Sequence, residues 1–256
     1  LETTARLFFD QESNQQEIQA SSRDITERKQ AQEALQQAHA SLQEAYDKTI
    51  EGWVLALDLR DRETEGHTQR VTEMTVKLAR TLGYPEEEII HIRRGALLHD
   101  IGKMAVPRSI LNKRGRLTYP EWALLRRHPE TGVRMLENID HLQAARPYIL
   151  CHHERWDGSG YPRGLRGNAI PLSARLMALA DVYDALISRR VYKAGMPHEE
   201  AVSILFKGRG NHFDPQVFDA FLAIQDEFRE IARQHADSDE ALEDKRANLQ
   251  QRLTVE

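Results

Sequence analysis

Histidines and carboxylates recur along this chain in a pattern that favours metal binding. The segment HHERWDGSGYP, residues 152–162, places two adjacent histidines directly before a loop that contains Gly158 and Gly160. Imidazoles this close together can bind metal, and glycines let a backbone approach a ligand closely, although a helix end followed by a turn is the simpler alternative. The candidate ligands on separate segments of the chain are Glu63, His67, His99, Asp100, His128, His152, His153 and Asp181.

Five histidines and three carboxylates are too many for one ion, so we expect more than one metal. A donor set of imidazole and carboxylate without thiolate suits iron, manganese or zinc. Asp181 lies in the apolar run ARLMALADVYDALI, where an unpaired carboxylate would be costly. His99 and Asp100 end another apolar segment, ALLHDIGK. For Glu63, a solvated carboxylate in the charged run RDRETE remains the alternative.

The elements that must position these residues are helices. From Ile50 onward apolar residues recur at helical spacing, with breakers at Gly83 to Pro85, Gly102 to Pro107 and Asp157 to Gly167. This pattern predicts an all-α bundle of about seven or more helices. The site would then form where several helices converge on the bundle interior.

The N-terminal segment has a different pattern. Partial alternation in ARLFFD and QEIQASSRDI, across QESNQ, predicts an antiparallel hairpin that needs a packing partner. A long helix follows, in which Leu35 and Leu42 share one heptad position, a thin seam suited to a parallel homodimer. A solvated surface helix is the alternative. We expect four segments: hairpin 1–24, signalling helix 25–49, catalytic domain 50–236 and charged tail 237–256.

Composition narrows the class of protein. The chain has 256 residues, 40% of them apolar and 29% charged, and no apolar run is long enough for a membrane span. A net charge of −5 gives no electrostatic basis for binding duplex nucleic acid. Cys151 is the only cysteine, so no internal disulfide forms and a cytoplasmic location is expected. Its thiol is interpreted as a small buried apolar group.

Two resemblances give these patterns a function. SSRDITERKQAQEAL resembles the C-terminal edge of a PAS sensory domain, and we expect the chain to be a piece of a longer protein. From about Ile50 to Ala232 the chain resembles the HD-GYP family, on the motifs EGHTQRV, LLHDIGKMAVPRSIL, HPETG, HHERWDGSGYPRGL, ARLMALADVYDAL, SRRVYK and FDP. Val191 stands where proline is more usual in SRRVYK.

The HD-GYP resemblance implies an HD-superfamily bundle that hydrolyses cyclic di-GMP to linear pGpG. Whether pGpG is cleaved further to GMP is left open at this point. The resemblance implies two or three divalent metal ions, with iron or manganese favoured and zinc as the alternative; Asp100 would bridge two of them and Glu63 would bind the third. Asp100 and Lys103 are the implied catalytic residues, and Asp184 is a candidate hydrogen-bond acceptor for a ligand histidine. The implied substrate-binding residues are Lys103, Tyr161, Arg190 and Lys193.

Two alternatives remain at this point. One is a related HD-type phosphohydrolase that acts on another nucleotide or another cyclic dinucleotide. The other is a catalytically weak signalling module that binds the dinucleotide, and such a module would be expected to have lost metal ligands. None of the expected ligand positions is substituted in this sequence.

Overall fold

The computed structural model describes residues 2–10, 15–61, 66–113, 115–188 and 195–234. Their secondary structure is mainly helical, with one two-stranded antiparallel sheet. The chain divides into two compact units, Leu1–Thr49 and Ile50–Glu256. The predicted all-α class, preceded by a hairpin, is therefore confirmed. The predicted boundaries at residues 24/25 and 236/237 stay predictions, and the charged tail 237–256 lies outside the described residues.

The N-terminal hairpin consists of β1 (Glu2–Asp10) and β2 (Gln15–Arg23). The strands pair in antiparallel register, with Ala5 opposite Ala20 and Leu7 opposite Ile18. Leu7 and Ile18 are both mostly exposed. A two-stranded hairpin is only marginally stable in water, so these apolar side chains fit the predicted need for a packing partner.

One long helix, α1 (Thr26–Asp61), follows the hairpin. Asp24 accepts a hydrogen bond from the backbone N–H of Thr26 at 2.9 Å and so helps to begin the helix. The sequence predicts helix on both sides of Thr49, and the structure joins the two parts without a break. Gly52 is tolerated because a helical glycine costs only about 1 kcal/mol relative to alanine.

After α1, the described residues of the second unit form further helices and three 3₁₀ turns. The 3₁₀ turns are Ile101–Ala105, Asp140–Ala145 and Gly167–Ala169. The helices are α2 (His67–Thr81), α3 (Glu86–Leu98), α4 (Arg108–Leu111), α5 (Tyr119–Leu125), α6 (His128–Met135), α7 (Arg146–Cys151), α8 (Leu172–Ile187), α9 (His198–Lys207), α10 (Pro215–Ala223) and α11 (Gln225–Gln234).

The main hydrophobic core lies between α2, α3, α8, α10 and α11. Met74 of α2, Tyr183 of α8, Phe218 of α10 and Phe228 of α11 are all fully buried in it. Full burial of one such side chain contributes about 1.5–3 kcal/mol. This packing fixes α2 and α8, the two helices that carry His67 and Asp181.

A second apolar cluster holds together the helices that carry the other histidines. Leu98 at the end of α3, Leu136 after α6 and Ile149 in α7 are buried in it. Gly102 permits the close approach, because a Cβ at this position would collide with the backbone carbonyl of His128. The turn that follows Asp100 can therefore pack directly against the start of α6.

Among the residues that the structure describes, no helix is both long enough and apolar enough to cross a bilayer.

Candidate metal centre

Four histidines occupy the ends of helices that meet in the second unit. His67 is the first residue of α2, and His128 is the first residue of α6. His99 directly follows α3, and His152 directly follows α7. All four are almost completely buried, with exposed fractions of 1–2%. Burial of four imidazoles without polar partners would be costly, so their contacts decide what the cluster can do.

Three of these rings are oriented by the same local contact. In each, Nδ1 lies 2.7 Å from the backbone carbonyl three residues earlier: Ala96 for His99, Leu125 for His128 and Ile149 for His152. A carbonyl can only accept, so Nδ1 carries the proton and donates. The neutral ring then presents the lone pair of Nε2 on its other side. This is the tautomer that a metal ligand of this kind requires.

His67 is oriented by a carboxylate instead. Its Nδ1 lies 2.7 Å from Oδ2 of Asp184, which is fully buried in α8. Asp184 also accepts hydrogen bonds from Arg70, at 2.5 Å and 3.2 Å. On the other side of the ring, Nε2 lies 3.5 Å from Oδ1 of Asp181. The predicted contact between Asp184 and one of the histidines is thus present.

Asp100 lies at the centre of the cluster. Its Oδ2 is 3.0 Å from Nε2 of His99, and its Oδ1 is 3.2 Å from Nε2 of His128 and 3.9 Å from Nε2 of His152. Two groups with ligand atoms within 4.8 Å of one another share this carboxylate. One group is Asp100, His128, His152 and His153; the other is His67, His99 and Asp100.

The chemistry of these donors fits divalent cations. Nε2 of His128 lies 3.2 Å from Nε2 of His152. Because Nδ1 of each neutral ring donates to a backbone carbonyl, each Nε2 atom carries a lone pair and can only accept. Two lone pairs at this distance repel each other unless a positive charge lies beside both. A cation held by both imidazoles and by Asp100 would remove that repulsion. The two ligand groups, which share Asp100, therefore have the donors to hold more than one ion.

The electrostatics of the cluster also favour positive charge near Asp100. Burial opposes protonation of His99, but the Asp100 carboxylate raises its pKa to about 9. Burial would raise the pKa of Asp100, but the charges of His99 and Lys103 hold it well below its usual range. For His153, burial and then the charge of His128 lower the pKa to about 3, so this ring stays neutral. Without metal, His99 is therefore protonated at neutral pH and has to release a proton when a cation binds there, whereas His153 already has the neutral form that metal binding needs.

Lys103 reaches the same centre from the 3₁₀ turn after Asp100. Its Nζ lies 2.9 Å from Oδ2 of Asp100 and 2.9 Å from Oδ2 of Asp61 at the end of α1. The side chains of Lys103, Asp61 and Asp100 are all largely buried, with exposed fractions of 11%, 8% and 10%. The ammonium is thus held beside the cluster. The contact with Asp61 was not predicted.

Tyr161 forms one wall of the cluster. Its ring stacks on His153, with 4.7 Å between the ring centroids and 28° between the planes. The guanidinium carbon of Arg126 lies 4.4 Å from the same tyrosine ring centroid. The structure thus brings Tyr161 next to the ligand group that contains His153, whereas its contact with substrate stays a prediction.

Glu154 holds the loop that carries Tyr161. Its carboxylate is buried, with 2% exposure of the residue, and accepts hydrogen bonds from the backbone N–H groups of Arg163 and Leu165 at 2.7 Å and 3.0 Å. Gly160 lies so close to the backbone of residues 153–155 that a Cβ there would collide with it. Sequence reasoning missed Glu154. The available signal was an acidic residue directly after two histidines and before a glycine-rich loop.

The structure brings together most of the predicted site residues. His67, His99, Asp100, His128, His152 and His153 form the two ligand groups, and Asp181, Lys103 and Tyr161 lie beside them. Glu63, Arg190 and Lys193 lie outside the described residues, so their roles stay predictions.

The comparison with protein families agrees with this geometry. A family model described as "HD domain" matches residues 55–217, well over half of the chain. A Vibrio cholerae protein called "Probable cyclic di-GMP phosphodiesterase" is 46% identical over 201 residues, which are 72% of this chain and 46% of that protein. Another, "3'3'-cGAMP-specific phosphodiesterase 2" of the same organism, is 40% identical over 73% of this chain and 36% of that protein.

A solved structure shows the same fold. Bd1817, an HDG"Y"P protein from Bdellovibrio bacteriovorus, matches with a TM-score of 0.51 and 26% sequence identity. The match covers 62% of this chain and 51% of that chain. This chain spans less than half of the length of either of the two curated relatives.

Proposed function

The chain belongs to the HD domain family, within the HD-GYP group, and from that premise we propose that it is a metal-dependent phosphodiesterase that hydrolyses cyclic di-GMP. The observation that carries this proposal is the position of Asp100. One buried carboxylate is shared by two groups of imidazoles, and the ammonium of Lys103 lies 2.9 Å from it. Metal-assisted hydrolysis of a phosphodiester uses both features, since the ligands would hold the ions and the ammonium would stabilise negative charge on the phosphate.

We propose that the two ligand groups hold two divalent ions, with Asp100 contributing to both. His67, His99 and Asp181 would serve one ion, and His128, His152 and His153 the other. When bound, such ions supply Lewis acidity and a hydroxide nucleophile at neutral pH. The imidazole and carboxylate donors, without thiolate, favour iron or manganese, and zinc is the alternative.

The protein's own residues then bind and orient the phosphodiester. Lys103 is positioned to neutralise a phosphate oxygen as negative charge increases, and Asp61 restricts its ammonium to that side of the cluster. Tyr161 provides an apolar wall beside His153. We propose further phosphate contacts for Arg190 and Lys193.

Glu63 is proposed as the ligand of a third ion, which would permit cleavage of linear pGpG to GMP. Replacement of Glu63 by tyrosine is expected to remove one metal per chain and to slow the second cleavage more than the first. Metal analysis and product chromatography measure both effects. An unchanged metal count would mean that Glu63 is a solvated carboxylate.

The nucleotide preference needs a direct comparison. A relative named as specific for 3'3'-cGAMP is 40% identical to this chain, so that dinucleotide is the second candidate substrate. The experiment is turnover of cyclic di-GMP and 3'3'-cGAMP under anaerobic conditions with Mn²⁺ or Fe²⁺, followed by chromatography. We expect a higher kcat/KM for cyclic di-GMP. A higher kcat/KM for 3'3'-cGAMP would indicate that 3'3'-cGAMP is the preferred substrate. Binding of either dinucleotide without turnover of any would indicate a signalling module.

We also propose that the N-terminal unit is the end of a PAS-like sensory domain and that the protein is cytoplasmic.

We propose that α1 forms a parallel homodimer. Leu35 and Leu42, one heptad apart, are 70% and 50% exposed in the single chain. Replacing both with lysine is expected to give a monomer in light scattering and to leave the metal content intact. Lysine at Gln36 and Gln43 is the matched control, because these positions have the same spacing but lie off the seam. A monomeric wild-type chain would contradict the dimer.

A further inference from the structure

Arg126 is an exposed cation at the rim of the metal centre. It directly follows α5 and precedes His128 by two residues. Its guanidinium carbon lies 4.4 Å from the centroid of the Tyr161 ring, which in turn stacks on His153. Among the residues that the structure describes, no carboxylate forms an ion pair with Arg126. Its charge is therefore oriented by an aromatic ring and is not neutralised by a described acidic side chain.

A cyclic dinucleotide carries two phosphodiesters, and only one of them undergoes cleavage at a time. Lys103 and the metal ligands serve the phosphate that reacts. The second phosphate keeps its negative charge in the bound state and needs either a cation or water. A guanidinium suits this task, because its planar donors match phosphate oxygens in pairs.

We propose that Arg126 binds the second, unreacted phosphate of the cyclic dinucleotide. Contact with the face of Tyr161 limits the orientations of the guanidinium and leaves its N–H donors available at the rim. This inference rests on the proposed function, and it adds a residue that discriminates a dinucleotide from a simple diester. Its contribution is to substrate binding, so it acts mainly on KM.

The test compares two substrates on one enzyme. Cyclic di-GMP has two phosphates, whereas bis(p-nitrophenyl) phosphate has one diester and lacks the group that Arg126 is proposed to bind. For Arg126→Ala, the ratio of kcat/KM for cyclic di-GMP to kcat/KM for bis(p-nitrophenyl) phosphate is expected to fall about tenfold or more. Arg126→Lys keeps the charge but loses the paired donors, so an intermediate ratio is expected. Arg134→Ala, which removes an exposed arginine from the far end of α6, is the control.

A purely structural role would give a different result. If Arg126 only held Tyr161 in place, its loss would reduce turnover of both substrates in proportion, and the ratio would not change. That result with an active wild-type enzyme would overturn the inference about Arg126 and leave the proposed function standing. Wild-type protein that hydrolysed no cyclic dinucleotide would overturn both. Arg126→Gln provides a second variant with a polar side chain if the alanine variant does not fold.

Discussion

The carboxylate of Asp184 connects His67 to Arg70 in the interior of the second unit. Oδ2 lies 2.7 Å from Nδ1 of His67, and Oδ1 accepts a hydrogen bond from Nε of Arg70 at 2.5 Å. Burial would raise the pKa of Asp184, but the hydrogen bond from His67 and the contact with Arg70 lower it to about 2. The carboxylate is therefore ionised and holds the His67 ring with Nε2 towards Asp181.

Asp184→Asn is expected to weaken metal binding about 10–100-fold, because the neutral amide no longer increases the basicity of His67. Metal-buffered titration of the folded protein measures the effect. Asp219→Asn, which removes an exposed carboxylate paired with Arg209, is the control. Equal metal affinity in the Asp184 variant and the wild type would show that the Asp184 carboxylate does not support metal binding through His67.

Lys103→Ala is expected to leave the metal content unchanged and to lower kcat for cyclic di-GMP about 10²–10³-fold. The reason is that the ammonium stabilises negative charge that develops on phosphate during the reaction. Lys77→Ala, which removes a surface ion pair with Glu227, provides the control. Loss of metal from the Lys103 variant would show that its ammonium supports the ligands and not the phosphate.

Glu154→Gln is expected to destabilise the loop that carries Tyr161. The amide has one acceptor oxygen, and its NH₂ group cannot accept from either Arg163 or Leu165, so one of these N–H groups loses its hydrogen bond to the carboxylate. A hydrogen bond to a charged group contributes about 1.5–3 kcal/mol. Urea denaturation measures the change, with exposed Glu137→Gln as the control. A variant as stable as the wild type would mean that the loop does not depend on this carboxylate.

Cys151 is expected to react slowly with thiol reagents in the folded protein. The residue is 3% exposed, and burial raises the pKa of its thiol to about 11. At pH 8 the thiol is therefore protonated, and the protonated form is the unreactive one. Labelling with a disulfide reagent should be slow in buffer and rapid in guanidinium. Rapid labelling of the folded protein would contradict the interpretation of Cys151 as a small apolar core residue.

The sequence predicts the composition of the site better than its internal contacts. His99 and Asp100 end an apolar helix and Asp181 lies within another, and such positions are costly for polar groups without partners. These residues could therefore be recognised one segment at a time. The antiparallel hairpin and the helical class also follow from local alternation and from helical spacing.

The contacts between segments could not be predicted in the same way. His67 and Asp184 are 117 positions apart, and their contact depends on how α2 packs against α8. The pairing of Lys103 with Asp61 depends likewise on where α1 ends relative to the 3₁₀ turn. From the sequence alone, Glu154 is predicted to be an ordinary charged loop residue. Only the fold brings the backbone N–H groups of Arg163 and Leu165 to its carboxylate. Tertiary packing, and not local pattern, selects these partners.

The central claim is that Asp100 joins two metal-binding groups into one catalytic centre for cyclic di-GMP. The most direct test is anaerobic titration of metal-free protein with Mn²⁺ or Fe²⁺, with bound metal per chain and hydrolysis of cyclic di-GMP measured in the same samples. We expect no turnover without metal, turnover that requires at least two ions per chain, and an Asp100→Ala variant that binds less metal and stays inactive. Turnover by the metal-free protein, full activity with one ion, or an active Asp100→Ala variant with a full metal complement would contradict this claim.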